Sequence, residues 1–233
     1  KDVIDLTNTT ISSNKYLIST NHNMSILKNG STFSSQDIRN SIQLGNSETS
    51  FSLNDSTGST SVKGGSHNDY IELADGGNQD TVFFIDNGGF DTITSFTKSE
   101  DKLNFDSITG ISANGISFFA GDSKVTDAIN GEVYVFASEN LTGVDAKFDF
   151  NGENNDATLD SLEVMSSAAS YLEAAITEAN GEKYVALINT AKGVTDRFVA
   201  YLIDGDTDGI NVNDLTLIGS IDADNFLVAA DIS

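Results

Sequence analysis

The sequence predicts a mainly β protein in which a coil of parallel strands, a β-solenoid, is followed by a β-rich domain that carries one helix. Asp69, Asp80 and Asp91 fall 11 residues apart, and a β-branched residue lies two positions after each of them. Proline is absent from all 233 residues, as suits long β ladders that need every backbone N–H. A pair of glycines also precedes each aspartate: Gly64-Gly65, Gly76-Gly77 and Gly88-Gly89. A turn, an aspartate and a short apolar strand that repeat together indicate the stacked turns of a solenoid.

The repeated bends are candidate metal sites, because tight glycine turns aim backbone carbonyls inward beside the aspartates. If successive strands alternate between two sheets, Asp69 and Asp91 lie on one edge, about 4.8 Å apart. Two carboxylates at that separation repel by about 3.5 kcal/mol at an effective dielectric constant of about 20, and a cation between them reverses the sign. Every candidate ligand is oxygen, so we expect several Ca²⁺ ions. The candidate ligands in the repeats are Gly64, Ser66, Asp69, Asp75, Gly77, Asp80, Asp86, Gly88, Asp91 and Asp101.

The period extends towards the N-terminus, which predicts six strand-and-turn steps from about residue 42 to residue 95. Because the turns alternate between edges, Asp80 should have Asp55 below it and Glu100 or Asp101 above it. The alternative is a Gly- and Asp-rich antiparallel meander, in which the spacing of the aspartates is accidental. The strand positions that precede Ile71 in the predicted register are Thr60, Phe51 and Ile42.

Residues 64–72 resemble the nonapeptide repeats of repeats-in-toxin (RTX) proteins, Gly-Gly-x-Gly-x-Asp-x-apolar-x. They match every fixed position of that motif except at His67. The repeats that start at Asp75 and Asp86 each keep a glycine, the aspartate and the apolar residue. The resemblance implies a parallel β-roll with RTX turns and calcium-dependent folding outside the cell.

The composition excludes several classes of function. With 12 basic and 35 acidic residues the net charge is −23, so the chain lacks the Lys and Arg that nucleic acids and anionic lipids demand. It has no cysteine, and therefore no disulfide and no thiolate metal site. No apolar run reaches about 18 residues, which argues against a membrane-spanning helix, and no HExxH, GxSxG or Walker motif is present. We expect a structural protein rather than an enzyme, with divalent cations relieving its self-repulsion.

Residues 1–106 are the predicted solenoid domain, in which residues 1–41 form an irregular lead-in or the first turns. Residues 107–233 are the predicted β-rich domain. Asn130-Gly131 lies between two runs that alternate at period two, which is typical of a hairpin turn. The predicted strands of this domain lie around Ile116, Val133 and Phe148 and at residues 183–190, 197–203, 215–218 and 225–229.

One helix is predicted, from Leu159 to Ala179, because apolar residues recur there at helical spacing. Asp156 or Thr158 can cap its start, and Gly181 can close its end. Its predicted role is to cover a sheet face or the open end of the solenoid. Its apolar stripe consists of Leu159, Leu162, Met165, Ala169, Leu172 and Ile176.

The segment from Asp204 to Gly209 has aspartates at positions 1, 3 and 5 and glycine at position 6, like the first half of an EF-hand loop. No glutamate stands at position 12 and a predicted strand precedes the loop, so a calcium turn between strands is favoured over a helical EF-hand. We expect Ca²⁺ at Asp204, Asp206 and Asp208. The alternative is a solvated acidic hairpin tip.

Two further segments resemble type I-secreted bacterial proteins. Residues 92–105 are similar to the segment that follows the repeats in serralysin-type proteases. Residues 200–233 are similar to the terminal hairpin of type I-secreted proteins, with Asp224-Asn225-Phe226 as its last element. The resemblance implies a C-terminal secretion signal and an ABC exporter as a partner. It agrees with a chain that starts at Lys1 without a signal peptide, which we interpret as a fragment or a processed product.

The acidic, cysteine-free composition and the RTX turns together resemble the surface-layer (S-layer) proteins of Gram-negative bacteria. This resemblance implies a secreted structural protein that associates with itself in a lattice on the cell surface. Calcium would bridge the subunits, and lipopolysaccharide or a surface glycan would be a further partner. The alternatives are the C-terminal module of an RTX adhesin and the tail of a secreted hydrolase whose catalytic domain is absent.

Overall fold

The computed structural model divides the chain into two units. Unit 1 comprises Lys1–Thr109 and Gly219–Ser233, and unit 2 comprises Gly110–Ile218. The predicted mainly β fold with one helix is confirmed. The structure describes residues 2–5, 15–17, 24–27, 41–43, 50–52, 59–73, 79–112, 115–119, 125, 128–136, 162–176, 182–189, 196–205 and 209–233.

Unit 1 is built from short strands that pair in parallel. They are β1 (Asp2–Asp5), β2 (Lys15–Leu17), β3 (Met24–Leu27), β4 (Ser41–Gln43), β5 (Ser50–Ser52), β6 (Ser61–Lys63), β7 (Tyr70–Glu72), β8 (Thr81–Ile85), β9 (Asp91–Phe96) and β10 (Lys102–Ser107). From β4 onward the even-numbered strands share one sheet, in the order β4-β6-β8-β10, and β5, β7 and β9 share another. Successive strands therefore alternate between two parallel sheets, as predicted. The strands β1 and β3 also pair in parallel.

Apolar side chains stack in register between neighbouring strands of each sheet. Phe51 pairs with Ile71, and Ile71 pairs with Ile93. All three of these side chains are buried. Phe84 and Phe105 add a stacked ring pair with centroids 4.8 Å apart. The predicted one-sided apolar pattern of the repeats therefore forms the core of unit 1.

The predicted register of one strand was wrong by two residues. Thr60 was expected at the level of Ile42 and Val82, but Val62 pairs with both of those residues. Thr60 instead lies at the level of Asp80, because its backbone N–H donates to the Asp80 carboxylate. A shift of two residues keeps every side chain on the same face of the strand, so the apolar pattern could not detect it.

In the described part of unit 2, a sheet packs against an α-helix. Its elements are β11 (Ile116–Phe119), β12 (Val133–Phe136), α1 (Leu162–Ala175), β13 (Lys183–Asn189) and β14 (Asp196–Asp204). The strands β11, β12 and β13 are parallel, and β14 is antiparallel to β13. The α1 helix buries Ala169 and Leu172 of the predicted face, and also Ala168 beside it. Tyr171 of the helix meets Phe136 of the sheet edge to face, with ring centroids 5.6 Å apart.

Two predictions for residues 107–233 were wrong, and others fall outside the described residues. Asn130-Gly131 forms a turn with Gly131 at φ 89°, but no hairpin, because β11 and β12 are parallel. Residues 226–228 form no strand, and Ala229–Asp231 form a 3₁₀ helix instead, because Asp231 accepts the N–H of Val228 in a tight turn. The structure does not describe Phe148 or the predicted helix caps Asp156, Thr158 and Gly181.

The last strand, β15 (Leu215–Ala223), carries the chain from unit 2 back to unit 1. Its residues from Gly219 onward pair in parallel with β9. Sequence reasoning placed all of residues 107–233 in one domain. In the structure the chain divides after Thr109, and Gly219–Ser233 belong to the first unit.

Candidate functional site

Asp69 and Asp91 lie on one edge of unit 1, as the spacing of the repeats predicts. The backbone N–H of Asp69 donates to Asp91 Oδ1 over 3.0 Å, and that of Gly65 donates to Asp69 Oδ2 over 2.7 Å. Each aspartate side chain is only 2% exposed. Between the same turns, the N–H of Phe90 donates to Asn68 Oδ1 over 2.9 Å. The turn before β9 therefore stacks on the turn before β7, and each aspartate organises a turn by accepting backbone N–H groups.

Gly64 makes room for both carboxylates. A Cβ atom on Gly64 would lie 2.5 Å from Asp91 Oδ2 and 3.5 Å from Asp69 Oδ2. The two carboxylates therefore fit because residue 64 has no side chain, and not because of the backbone freedom of glycine. Ser66, another predicted ligand, is exposed, and its hydroxyl contacts His67 Nδ1 at 3.2 Å.

The opposite edge carries Thr60, Asp80 and Asp101 in a second column. The Thr60 N–H donates to Asp80 Oδ1, and the Asp80 N–H donates to Asp101 Oδ1, both over 2.9 Å. The Thr97 N–H donates to Asp101 Oδ2 over 2.8 Å. The prediction of Asp101 above Asp80 is confirmed. Asp55, the partner predicted below Asp80, lies outside the described residues.

Burial and neighbouring charge make ionisation of these carboxyl groups unfavourable. Burial raises the pKa of Asp91 well above its usual value, and the Asp69 charge raises it further, although the Asp69 N–H opposes both effects. Burial likewise raises the pKa of Asp101 from 3.8 to about 6. The N–H groups of Thr97 and Asp80 lower that pKa, and the charges of Glu100 and Asp224 raise it. On both edges a proton or a cation that neutralises the carboxylates is therefore favoured.

The aspartates on these two edges would bind a hard cation well, since the ligand atoms that their side chains offer are carboxylate oxygens. Among the described residues, however, no group of three or more His, Asp or Glu side chains surrounds a single point. The Asp69–Asp91 pair can therefore supply only part of a calcium coordination shell, which takes six to eight oxygens. Backbone carbonyls and water would have to complete it.

Four further predicted ligands in the repeats have other outcomes. Asp86 Oδ2 accepts both the N–H and the hydroxyl of Thr109, so Asp86 fastens the chain that follows β10. Gly88 lies buried in the turn before β9, where its N–H donates to the Ile85 carbonyl over 3.2 Å. Asp75 and Gly77 lie outside the described residues.

Glu173 of α1 lies against the acidic loop that follows β14, and sequence reasoning missed it. Glu173 Oε2 accepts the N–H of Ile210 over 2.6 Å. A Cβ atom on Gly209 would lie 2.9 Å from both oxygens of this carboxylate. Of the predicted loop ligands, Asp204 is exposed, while Asp206 and Asp208 lie outside the described residues. No local spacing signals Glu173, because it comes from a helix two strands earlier in the chain.

Two aspartates of the C-terminal segment also bind turns of unit 1. Asp224 Oδ1 accepts the N–H of Lys98 over 2.8 Å, and Asp231 Oδ1 accepts that of Ser99 over 2.7 Å. The sequence signal was weak, because Asp231 stands far from the repeats and outside their period.

No family model, no curated protein and no solved structure matches this chain.

Proposed function

We propose that unit 1 is a calcium-stabilised β-roll, and that the chain is a structural segment of a secreted protein that assembles on a bacterial cell surface. The β-roll interpretation is supported by the alternation of β4–β10 between two parallel sheets. It is also supported by turns that stack in register, each with a buried aspartate. Such a module serves as a scaffold, since its carboxylates occupy turns rather than a substrate pocket.

One observation carries the calcium proposal: Asp69 and Asp91 are buried on the same edge, joined by the Asp69 N–H. At neutral pH each ionised carboxylate raises the free energy of the other, and a bound cation removes that cost. In this proposal Asp69 and Asp91 supply carboxylate oxygens, and the turn that contains Gly64 supplies space and carbonyls. Calcium suits the site better than magnesium, because it tolerates irregular shells of oxygen ligands.

The acidic loop of unit 2 is the second proposed calcium site. Its ligands would be Asp204, Asp206 and Asp208, with Glu173 as a further carboxylate from α1. Glu173 supports this proposal because its carboxylate accepts the Ile210 N–H and occupies the space where a Cβ atom of residue 209 would lie. It would take the place of the glutamate that an EF-hand carries at position 12.

The proposed cellular role follows from charge and calcium together. A chain with net charge −23 repels its own copies, so divalent ions that bridge carboxylates favour association. Extracellular modules bind calcium with Kd of about 10⁻⁴ to 10⁻³ M. In this proposal the chain therefore folds and assembles outside the cell. An ABC exporter would pass the unfolded chain, and lipopolysaccharide or a surface glycan would anchor the lattice.

The test combines stability with assembly. Circular dichroism and thermal unfolding are recorded in a chelator, in about 10 mM CaCl₂ and in the same concentration of MgCl₂. We expect calcium alone to raise the melting temperature, and electron microscopy to find ordered two-dimensional arrays only with calcium. A chain that is stabilised by calcium but stays monomeric would favour the adhesin or hydrolase module instead. A chain indifferent to calcium would contradict the proposal as a whole.

A further inference from the structure

The C-terminal residues 219–233, here called the closing segment, cover the ends of both sheets of unit 1. In one sheet, Gly219–Ala223 pairs in parallel with β9, with Ile221 opposite Ile93. The chain then turns, and the Asp224 N–H donates to the Phe96 carbonyl over 3.0 Å. This part of the closing segment continues the parallel register in which β7 pairs with β9.

In the other sheet the closing segment pairs with β10. Ile232 forms a parallel bridge with Leu103, and the Ser233 N–H donates to the Leu103 carbonyl over 2.9 Å. The Lys102 ammonium donates to the carbonyl of Ala230. Leu227 and Ile232 are buried. The closing segment therefore repeats the path from β9 to β10: a parallel strand, a turn, and a second parallel contact in the opposite sheet.

Asp231 has the role in the closing segment that Asp101 has one turn earlier. Asp101 accepts one N–H from the previous turn, at Asp80, and one from its own turn, at Thr97. Asp231 accepts the Ser99 N–H from the previous turn and the Val228 N–H of its own turn, both over 2.7 Å. The Asp231 side chain is completely buried. The segment is thus seated by the same contacts that hold the repeats together.

We propose that the closing segment blocks the end of unit 1 against pairing with a second copy of this chain. Without residues 225–233, the free edge of β10 would present backbone N–H and C=O groups, and such an edge is a template for another strand. The Ser99 N–H would lose its carboxylate acceptor, Asp231. A second truncated copy exposes the same β10 edge, and two copies related by a two-fold axis can pair these edges antiparallel, which makes a second copy the partner that fits. The segment arrives only after the whole of unit 2, so the end of unit 1 stays open until the C-terminus folds.

Deletion of residues 225–233 tests the proposal. We expect the truncated chain to associate at a concentration at which the full-length chain is monomeric, with its weight-average mass in sedimentation at least roughly doubled. A synthetic peptide of residues 224–233 should return it to monomers, and a scrambled peptide of the same composition should not. A truncated chain that keeps its β circular dichroism and stays monomeric would overturn the proposal.

A second experiment keeps the proposal testable if the truncated chain does not fold. Asn104 Nδ2 lies 3.5 Å from Ser233 Oγ, and the chain has no cysteine of its own. In the full-length chain, the pair Asn104→Cys and Ser233→Cys should form an intramolecular disulfide under mild oxidation. The matched pair Ser107→Cys and Ser233→Cys, placed further along β10, should form far less. Disulfide-linked dimers alone, or equal cross-linking of both pairs, would contradict a segment that closes its own unit.

Discussion

The Asp91→Asn variant should raise the stability of the calcium-free chain and remove most of the stabilisation that calcium provides. Without calcium, Asp91 is buried beside Asp69 and its pKa is raised, so its charge is unfavourable at neutral pH. Two charges on adjacent strands, about 4.8 Å apart, repel by about 3.5 kcal/mol at an effective dielectric constant of about 20. Asparagine keeps an oxygen acceptor for the Asp69 N–H but loses about 1 kcal/mol of charge-assisted hydrogen bonding. The expected net gain is about 2.5 kcal/mol.

With calcium the comparison changes, because the wild-type carboxylate pair gains a ligand. At a calcium concentration of about 100 times Kd, binding stabilises the wild type by about 2.7 kcal/mol, and Asp91→Asn should forfeit most of that increment. Urea unfolding followed by circular dichroism, in chelator and in about 10 mM CaCl₂, measures both effects. Asp106→Asn removes the same charge from an exposed position of β10 and serves as the control. If Asp91→Asn destabilised the chain equally with and without calcium, Asp91 would be only a hydrogen-bond acceptor and our reasoning would be refuted.

Three other predictions concern stability. Gly64→Ala should lower the free energy of unfolding by about 1–3 kcal/mol, because the new Cβ atom would displace Asp91 Oδ2. In the same urea unfolding assay, the control Ser66→Ala, at an exposed position of the same turn, should change it by no more than about 0.5 kcal/mol. The calcium-free chain should lose stability as the pH rises from about 4 to about 7, because the pKa of Asp101 is raised to about 6 and the folded state holds that proton more tightly than the unfolded state. After allowance for solvent screening, Asp101 should lower the free energy of unfolding by about 1–2 kcal/mol over this range. Thermal unfolding at a series of pH values measures this loss, and a stability that does not change with pH would contradict the prediction. Tyr201→Phe should stabilise unit 2 by about 1–2 kcal/mol, because the buried Tyr201 hydroxyl has no hydrogen-bond partner among the described residues. By the same unfolding assay Tyr134→Phe should destabilise, since the Tyr134 hydroxyl accepts the Ile129 N–H over 2.6 Å, and equal effects of both tyrosine variants would contradict this account.

The edge that carries Asp69 and Asp91 could be predicted because its information is local and periodic. Two steps of 11 residues return the chain to the same sheet, so the two aspartates had to share an edge. The Thr60 register could not be predicted in the same way. A threonine in the aspartate column and a valine two residues later satisfy the apolar pattern in either register. The pairing of Val62 with Val82 and the hydrogen bond from Thr60 to Asp80 distinguish the two registers.

Contacts between distant parts of the chain explain the remaining differences. Asp231 and Ile232 complete unit 1 after the whole of unit 2 has intervened, and no repeat spacing spans such an insertion. Glu173 reaches the loop at Gly209 from a helix, so the EF-hand pattern contained no sign of it. The Asn130-Gly131 turn was identified correctly, but turn residues do not reveal whether the adjoining strands run parallel.

Anomalous diffraction from crystals grown in calcium would test the central claim most directly. The account predicts a calcium peak on the edge shared by Asp69 and Asp91, with carboxylate oxygens of both residues about 2.3–2.6 Å from the ion. A map at neutral pH with no ion on that edge, and with both carboxylates bound only by the backbone N–H groups of their turns, would contradict it.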